Sequence, residues 1–92
     1  MRKQELVRQV AARTGQSETA TTATVAAVFA VMQDALAEGD EVTISGFGSF
    51  RVVERSARVG THPRTRLRMR IDAKKSPTFR PGARLKRAIS AN

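Results

Sequence analysis

Charge divides this chain in two. Residues 51–92 hold thirteen basic side chains and only two acidic ones, Glu54 and Asp72, a balance of 13 − 2 = +11. Residues 1–50 hold four basic groups (Arg2, Lys3, Arg8, Arg13) and six acidic ones, 4 − 6 = −2, so that the halves add to the formal +9 of the whole. One half is therefore nearly neutral, apolar and helix-forming, and the other is a cationic surface. Within the cationic half, Arg64-Thr65-Arg66-Leu67-Arg68-Met69-Arg70 sets an arginine at every second position. A surface of that kind requires a polyanion, and nucleic acid is the commonest one.

Length limits the alternatives. Ninety-two residues make one domain, spanning 1–92. It is expected to divide into a helical dimerisation half (1–45) and a half with the sheet, an arm at about 55–75 and a C-terminal helix (46–92). Hydrophobic residues at 40% argue for a folded protein rather than a basic tail, but they are mostly small, with four Phe and no Trp or Tyr. Such a core is marginal for a chain folding alone. With no cysteine, neither a disulfide nor a thiolate metal site can reinforce it. Oligomerisation remains, and an obligate dimer is expected. The polar stretch Arg2–Glu5 leads straight into an amphipathic pattern and no unbroken apolar run approaches membrane-spanning length. Together these predict a cytoplasmic protein with no membrane partner.

The pattern of apolar residues predicts an α+β order. A first helix covers about Lys3–Thr14, with Leu6, Val7, Val10 and Ala11 on one face and Gly15 as its stop. Ser17 reads as the N-cap of a second helix, reaching about Glu38, with Glu18 near the positive end of its dipole. Val25, Val28, Phe29, Met32, Ala35 and Leu36 form its apolar stripe, and Gly39 closes it. Val42–Ile44 is a short strand, Gly46-Phe47-Gly48 a tight turn, and Phe50 opens a second strand. Residues 55–75 read as a long two-stranded ribbon with its tip near Pro63. On the return strand Arg64, Arg66, Arg68 and Arg70 are expected on one face and Leu67, Met69 and Ile71 on the other. Pro77-Thr78-Phe79 returns to the body, and a short third helix runs from Ala83 to about Ser90.

Catalysis finds no support in the residue types. His62 is the only histidine, there is no Cys to pair with it, and the acidic groups are scattered, so neither a metal centre nor a nucleophile–base pair can be assembled. Gly46-Phe47-Gly48 lacks the Gly-Lys-Ser/Thr of a phosphate-binding loop. No cofactor or small-molecule substrate is implied. The helix–Gly15–helix stretch superficially suggests a helix-turn-helix, but Gln16–Thr22 supplies few side chains that read base edges, and the helix behind it is apolar. Phe29, Phe47, Phe50 and Phe79 all fall at core positions and the arm has no aromatic, which favours duplex over single strands. In the arm, arginine suits phosphates and narrow minor grooves. Pro63 at a ribbon tip is either a turn-former or a wedge between base steps.

Taken together, Gly46-Phe47-Gly48-Ser49-Phe50, Glu54-Arg55-Ser56-Ala57-Arg58, Gly60, Pro63, Thr65, Lys75, Pro77, Phe79, Pro81-Gly82 and Leu85-Lys86 resemble the signature of the bacterial HU/IHF histone-like family, HU most of all. Glu5-Leu6, Gly15, Phe29, Ala35-Leu36 and Gly39-Asp40 extend the resemblance over essentially the whole chain. It implies an intertwined dimer whose two β-arms embrace the DNA minor groove, with Pro63 intercalating to bend the duplex. By match, Arg55, Arg58 and Pro63 act in the arm, and Lys3, Lys75 and Lys86 hold flanking phosphates. Thr61, His62, Arg64, Arg66, Arg68, Arg70, Lys74 and Arg80 complete the expected DNA-binding set. Leu6, Val10, Val28, Phe29, Met32, Leu36, Ile44, Phe47, Phe50 and Phe79 form the expected core and dimer interface. The chain departs from the family at the tip, with Thr61 and His62 where Arg-Asn is usual and Arg66 where Gly is usual. A non-Gly residue at positive φ costs about 1–2 kcal/mol, so a different turn is expected there. Asp72 replaces a common Pro, and altered strand bulging is expected beside it. The expected function is non-sequence-specific binding and bending of double-stranded DNA by a homodimer in the nucleoid. A sequence-specific factor of the IHF type and an RNA-binding protein are the alternatives.

Overall fold

The computed structural model describes residues 1–91 and runs α1 (Lys3–Thr14), α2 (Glu18–Ala37), β1 (Val42–Ile44), β2 (Gly48–Arg55), β3 (Arg58–Thr61), β4 (Arg68–Ile71), β5 (Lys74–Pro81) and α3 (Ala83–Ser90). It is an α+β architecture of two compact units, Met1–Ala35 and Leu36–Asn92.

In the first unit the helix boundaries follow local chemistry. Gly15 caps α1 in the left-handed conformation (φ 71°), which a side chain would disfavour, and its N–H donates to the Ala11 carbonyl at 2.9 Å. Two residues later the Ser17 hydroxyl accepts the Ala20 N–H at 3.1 Å, satisfying one of the free donors that open α2. Glu18 lies in that first turn, where the helix dipole favours an anion. The two helices bury Val7, Ala11, Thr21 and Val25. Thr21 is the most enclosed, at 1% exposure; its hydroxyl donates to the Ser17 carbonyl at 2.8 Å, which offsets the desolvation of a buried polar group.

These four residues are a small core, and α2 extends well past it. Val28, Phe29 and Val31 are exposed at 51%, 46% and 67%, and Leu6, Val10, Met32 and Leu36 are half-buried. A single chain therefore leaves most of the expected stripe uncovered. By length and mean hydropathy (1.4) α2 could also cross a membrane, although its longest unbroken apolar run, residues 25–32, is much shorter than a span.

The second unit is built on an antiparallel sheet of order β1-β2-β5. The turn from β1 to β2 is closed by the Phe47 N–H on the Ile44 carbonyl (3.0 Å), with Gly46 at φ 81°. β2 starts at Gly48, two residues earlier than its apolar pattern suggests, because Gly48 pairs with Pro81. A Cβ there would stand 2.6 Å from both the Arg80 carbonyl oxygen and the Phe79 ring. That vacancy lets Phe79 lie between its neighbours, with ring centroids 5.6 Å from Phe47 and 4.7 Å from Phe50. The three phenylalanines are the apolar centre of this unit, yet Phe47 and Phe79 remain 46% and 40% exposed and Ile44 40%. The Gly82 N–H donates to the Phe47 carbonyl at 2.8 Å and fixes the start of α3 on the turn, and the Arg84 side chain packs over Gly46.

Candidate nucleic-acid interface

Beyond the body, β2 and β5 run on into β3 and β4. Arg55 pairs with Lys74 and Arg58 with Ile71, with two residues on each strand between those pairs. Register is thus kept across the interruption at Ser56-Ala57 and Asp72-Ala73, and β2–β3 with β4–β5 form one ribbon. The extra residue that defines a bulge is absent beside Asp72.

Strand alternation decides which cations act together. On the β2–β5 ladder one face holds Arg51, Arg55, Lys74 and Arg80; the other holds Phe50, Val52, Pro77 and Phe79, with Glu54 opposite Lys75 toward its outer end. On the β3–β4 ladder Arg68 and Arg70 share a face with Val59 and Thr61, while Arg58, Gly60, Met69 and Ile71 share the other. Gly60 leaves room for Ile71, whose Cδ1 lies only 2.7 Å from where a Cβ would be. All these basic side chains are exposed. Among the described residues the arm holds one ion pair, Arg70 Nε to Asp72 Oδ1 at 3.9 Å, itself exposed on both sides. Pairs of that kind are weak in water, so the arginines remain available to an external anion.

The tip corrects the expected face of four alternating arginines. β4 begins only at Arg68, and Arg64 and Arg66 lie in the loop that joins the strands. Leu67 likewise leaves the strand pattern and is 68% exposed. The His62 N–H donates to the Leu67 carbonyl and the Arg66 N–H to the His62 carbonyl, each at 2.8 Å. Arg66 takes φ 56°. The left-handed position that favours glycine is therefore kept, with arginine in it, instead of the different turn expected from that substitution. The loop of residues 62–67 reverses the chain with one residue left-handed, and closure of the ribbon overrides the local preference of Arg66. Pro63 stands exposed at the outer end, between His62 and Arg64.

Each remaining expected residue has a definite place. Lys3 is exposed at the start of α1 and Lys86 on α3. Lys74 and Lys75, adjacent in sequence, point to opposite faces of β5, as alternation requires. Arg51 was not anticipated: its signal is positional, because only the register, with Arg51 opposite Thr78, sets it on the face of Arg55 and Lys74. No group of three or more metal-ligating side chains occurs among the described residues.

Comparison with known proteins agrees with this geometry. The family described as Bacterial DNA-binding protein matches residues 1–90. The DNA-binding protein HU of Geobacillus stearothermophilus is 46% identical over 89 residues, covering 97% of this chain and 99% of the relative. HU-beta of Serratia marcescens is 43% identical over 90 residues, covering 98% and 100%. Among solved structures, an Anabaena HU–DNA cocrystal superposes with a TM-score of 0.88 at 35% identity over all of both chains. HU from Thermotoga maritima gives 0.70 at 29% identity over 97% and 98%.

Proposed function

The chain belongs to the bacterial DNA-binding protein family, of HU type, and from that premise we propose that it binds and bends double-stranded DNA with little sequence preference, as a homodimer of one 92-residue domain that organises the nucleoid in the cytoplasm. The observation that carries this reading is the arm: a ribbon of continuous register whose exposed cations hold, among the described residues, a single weak ion pair (Arg70–Asp72), and whose tip loop exposes a proline. Arg51, Arg55, Lys74 and Arg80 on one face, and Arg68 and Arg70 farther out, neutralise phosphates and follow the minor groove. Arginine suits this task because its planar fork meets phosphate oxygens in pairs and enters narrow grooves. Pro63, having no N–H and a rigid ring, unstacks a base step. This costs a few kcal/mol, which the longer wrapped contact recovers.

The apolar face of α2 is assigned to a second copy of the chain rather than to lipid. Val28 and Phe29 continue the stripe that is buried at Val25, Val31 is exposed beside it, and Ile44, Phe47 and Phe79 need the same kind of cover. Catalysis has no part in this reading, and neither a cofactor nor a small-molecule substrate is needed.

The test is a gel-shift series with linear, nicked and mismatched duplexes, run beside sedimentation of the free protein. A dimer that prefers pre-distorted DNA supports the reading, because such DNA is already partly unstacked. If about eight phosphates are neutralised, log K falls with log salt at a slope near −7. A slope shallower than about −2, a stable monomer, or a preference for RNA in competition overturns it. A strong consensus in binding-site selection replaces it with a sequence-specific architectural factor.

A further inference from the structure

The tip loop, residues 62–67, contains a cap that its backbone alone does not explain. The N–H groups of Arg64 and Thr65 both donate to the His62 Nδ1, at 3.1 and 3.3 Å. They are the donors left free once the Arg66 N–H has bonded the His62 carbonyl and the Leu67 N–H the Thr65 hydroxyl (3.4 Å). An imidazole can accept at Nδ1 only when neutral and protonated at Nε2; the imidazolium is a donor at both nitrogens. Between about pH 5 and pH 8 imidazole is the side chain whose charge ordinarily changes, and His62 is the only histidine in the chain.

We propose that His62 is the positioning residue for Pro63: its neutral imidazole holds the tip loop in the wedge geometry, and its protonation releases the loop, so that DNA bending, but not DNA affinity, weakens on acidification. The proposal rests on the wedge reading above. Protonation turns Nδ1 from an acceptor into a donor, so the cap on Arg64 and Thr65 and the charged ring exclude one another. Affinity follows a different course because the imidazolium adds one positive charge beside phosphates as it abandons the loop. The charged groups around it are Arg64 and Arg66 in the loop, Arg68 opposite Thr61 and Arg58 at the far end of β3, and arginines keep their charge throughout this range. The nearest carboxylates along the chain are Glu54, in β2, and Asp72, which lies against Arg70; carboxylates ordinarily titrate well below it.

Asparagine is the diagnostic replacement. Its Oδ1 is one bond beyond Cγ, as Nδ1 is in histidine, and an Asx turn accepts the N–H two residues on without titrating. Alanine removes the acceptor at every pH.

The experiment has two arms, one without DNA. In the free protein, the Arg64 and Thr65 amide resonances are followed by NMR from about pH 8 to pH 5. They are expected to move with the midpoint of the His62 ring protons in the wild type, to stay fixed in His62→Asn, and to sit at the released position throughout in His62→Ala. In the second arm, fluorescence energy transfer across an end-labelled duplex reads bending. The bent fraction at saturating protein is expected to fall about threefold to tenfold in the wild type, the effect of losing the one acceptor that the Arg64 and Thr65 N–H groups share. His62→Asn should bend equally at both ends of the range, and His62→Ala should bend weakly at both.

Amides that ignore the ring titration overturn the cap. Titrating amides with constant bending overturn the coupling, provided Pro63→Ala bends less than the wild type. If Pro63→Ala bends as the wild type does, the wedge reading itself fails, and the functional half of the proposal goes with it.

Discussion

The helical unit and the arm are incomplete in opposite ways. Residues 1–35 close a small core of Val7, Ala11, Thr21 and Val25 and leave an apolar face open along α2. The arm has no comparable core: Ile71 over Gly60 is its tightest contact, and it leaves guanidinium groups open on a ribbon. Water penalises the first kind of exposure and welcomes the second. The helical face is therefore a demand for another apolar surface, whereas the arm is compatible with water and gains when its cations release the counterions condensed on a polyanion. Folding is assigned to one region and binding to the other, with little sharing of residues between the two tasks.

Four variants test that separation. Phe29→Ala should have the largest effect. If a second copy covers the ring, the dimer loses about 3–5 kcal/mol, sedimentation should show a shift toward monomer, and the thermal midpoint should become more dependent on protein concentration. A fully stable dimer would refute the division at its apolar end. The double change Arg55→Ala with Arg70→Ala should do the converse. The salt slope should become shallower by about 2, measured by titrating DNA at several salt concentrations, while stability stays within about 0.5 kcal/mol. A large drop in melting temperature would mean that the arm takes part in folding after all.

Arg66→Gly sharpens the comparison within the arm. Glycine should relieve about 1–2 kcal/mol of left-handed strain and at the same time remove a charge. Nuclear relaxation should find a more rigid tip, and the salt slope should lose about one; a tip that becomes looser would mean the arginine holds the loop through contacts of its side chain. Ser17→Ala is the smallest change. It deletes the acceptor for the Ala20 N–H at the start of α2 and should cost about 1 kcal/mol, read as a lower urea midpoint with DNA affinity per folded dimer unaltered.

Much of the fold was legible because its signals are local. Gly15, Ser17 and the 3.6-residue stripe set α1 and α2, and the run from Phe50 to Glu54 marked β2 apart from its first two residues. The arm was legible as a ribbon for the same reason, and its tip was placed near Pro63. What failed was the extrapolation of alternation through the tip: Arg64 and Arg66 belong to the loop, since strands can reverse only by breaking the two-residue period. Arg51 was overlooked because its neighbours on the cationic face come from β5, more than twenty residues away in sequence. The His62 cap was equally out of reach, because a histidine before proline gives no sign of whether its Nδ1 will face its own loop.

Sequence by itself determined the division of labour: where charge accumulates, where helices start and stop, and that the apolar side chains are too small and too few to complete a core in one chain. These depend on composition and on contacts within a few residues. Tertiary structure alone decided which cations share a face, how far Gly48 lets Phe79 close on β2, and that the tip holds Arg66 left-handed while an imidazole caps the N–H groups of Arg64 and Thr65. Those outcomes depend on register between strands distant in sequence, and register is settled by the closure of the whole ribbon rather than by the preference of any residue within it.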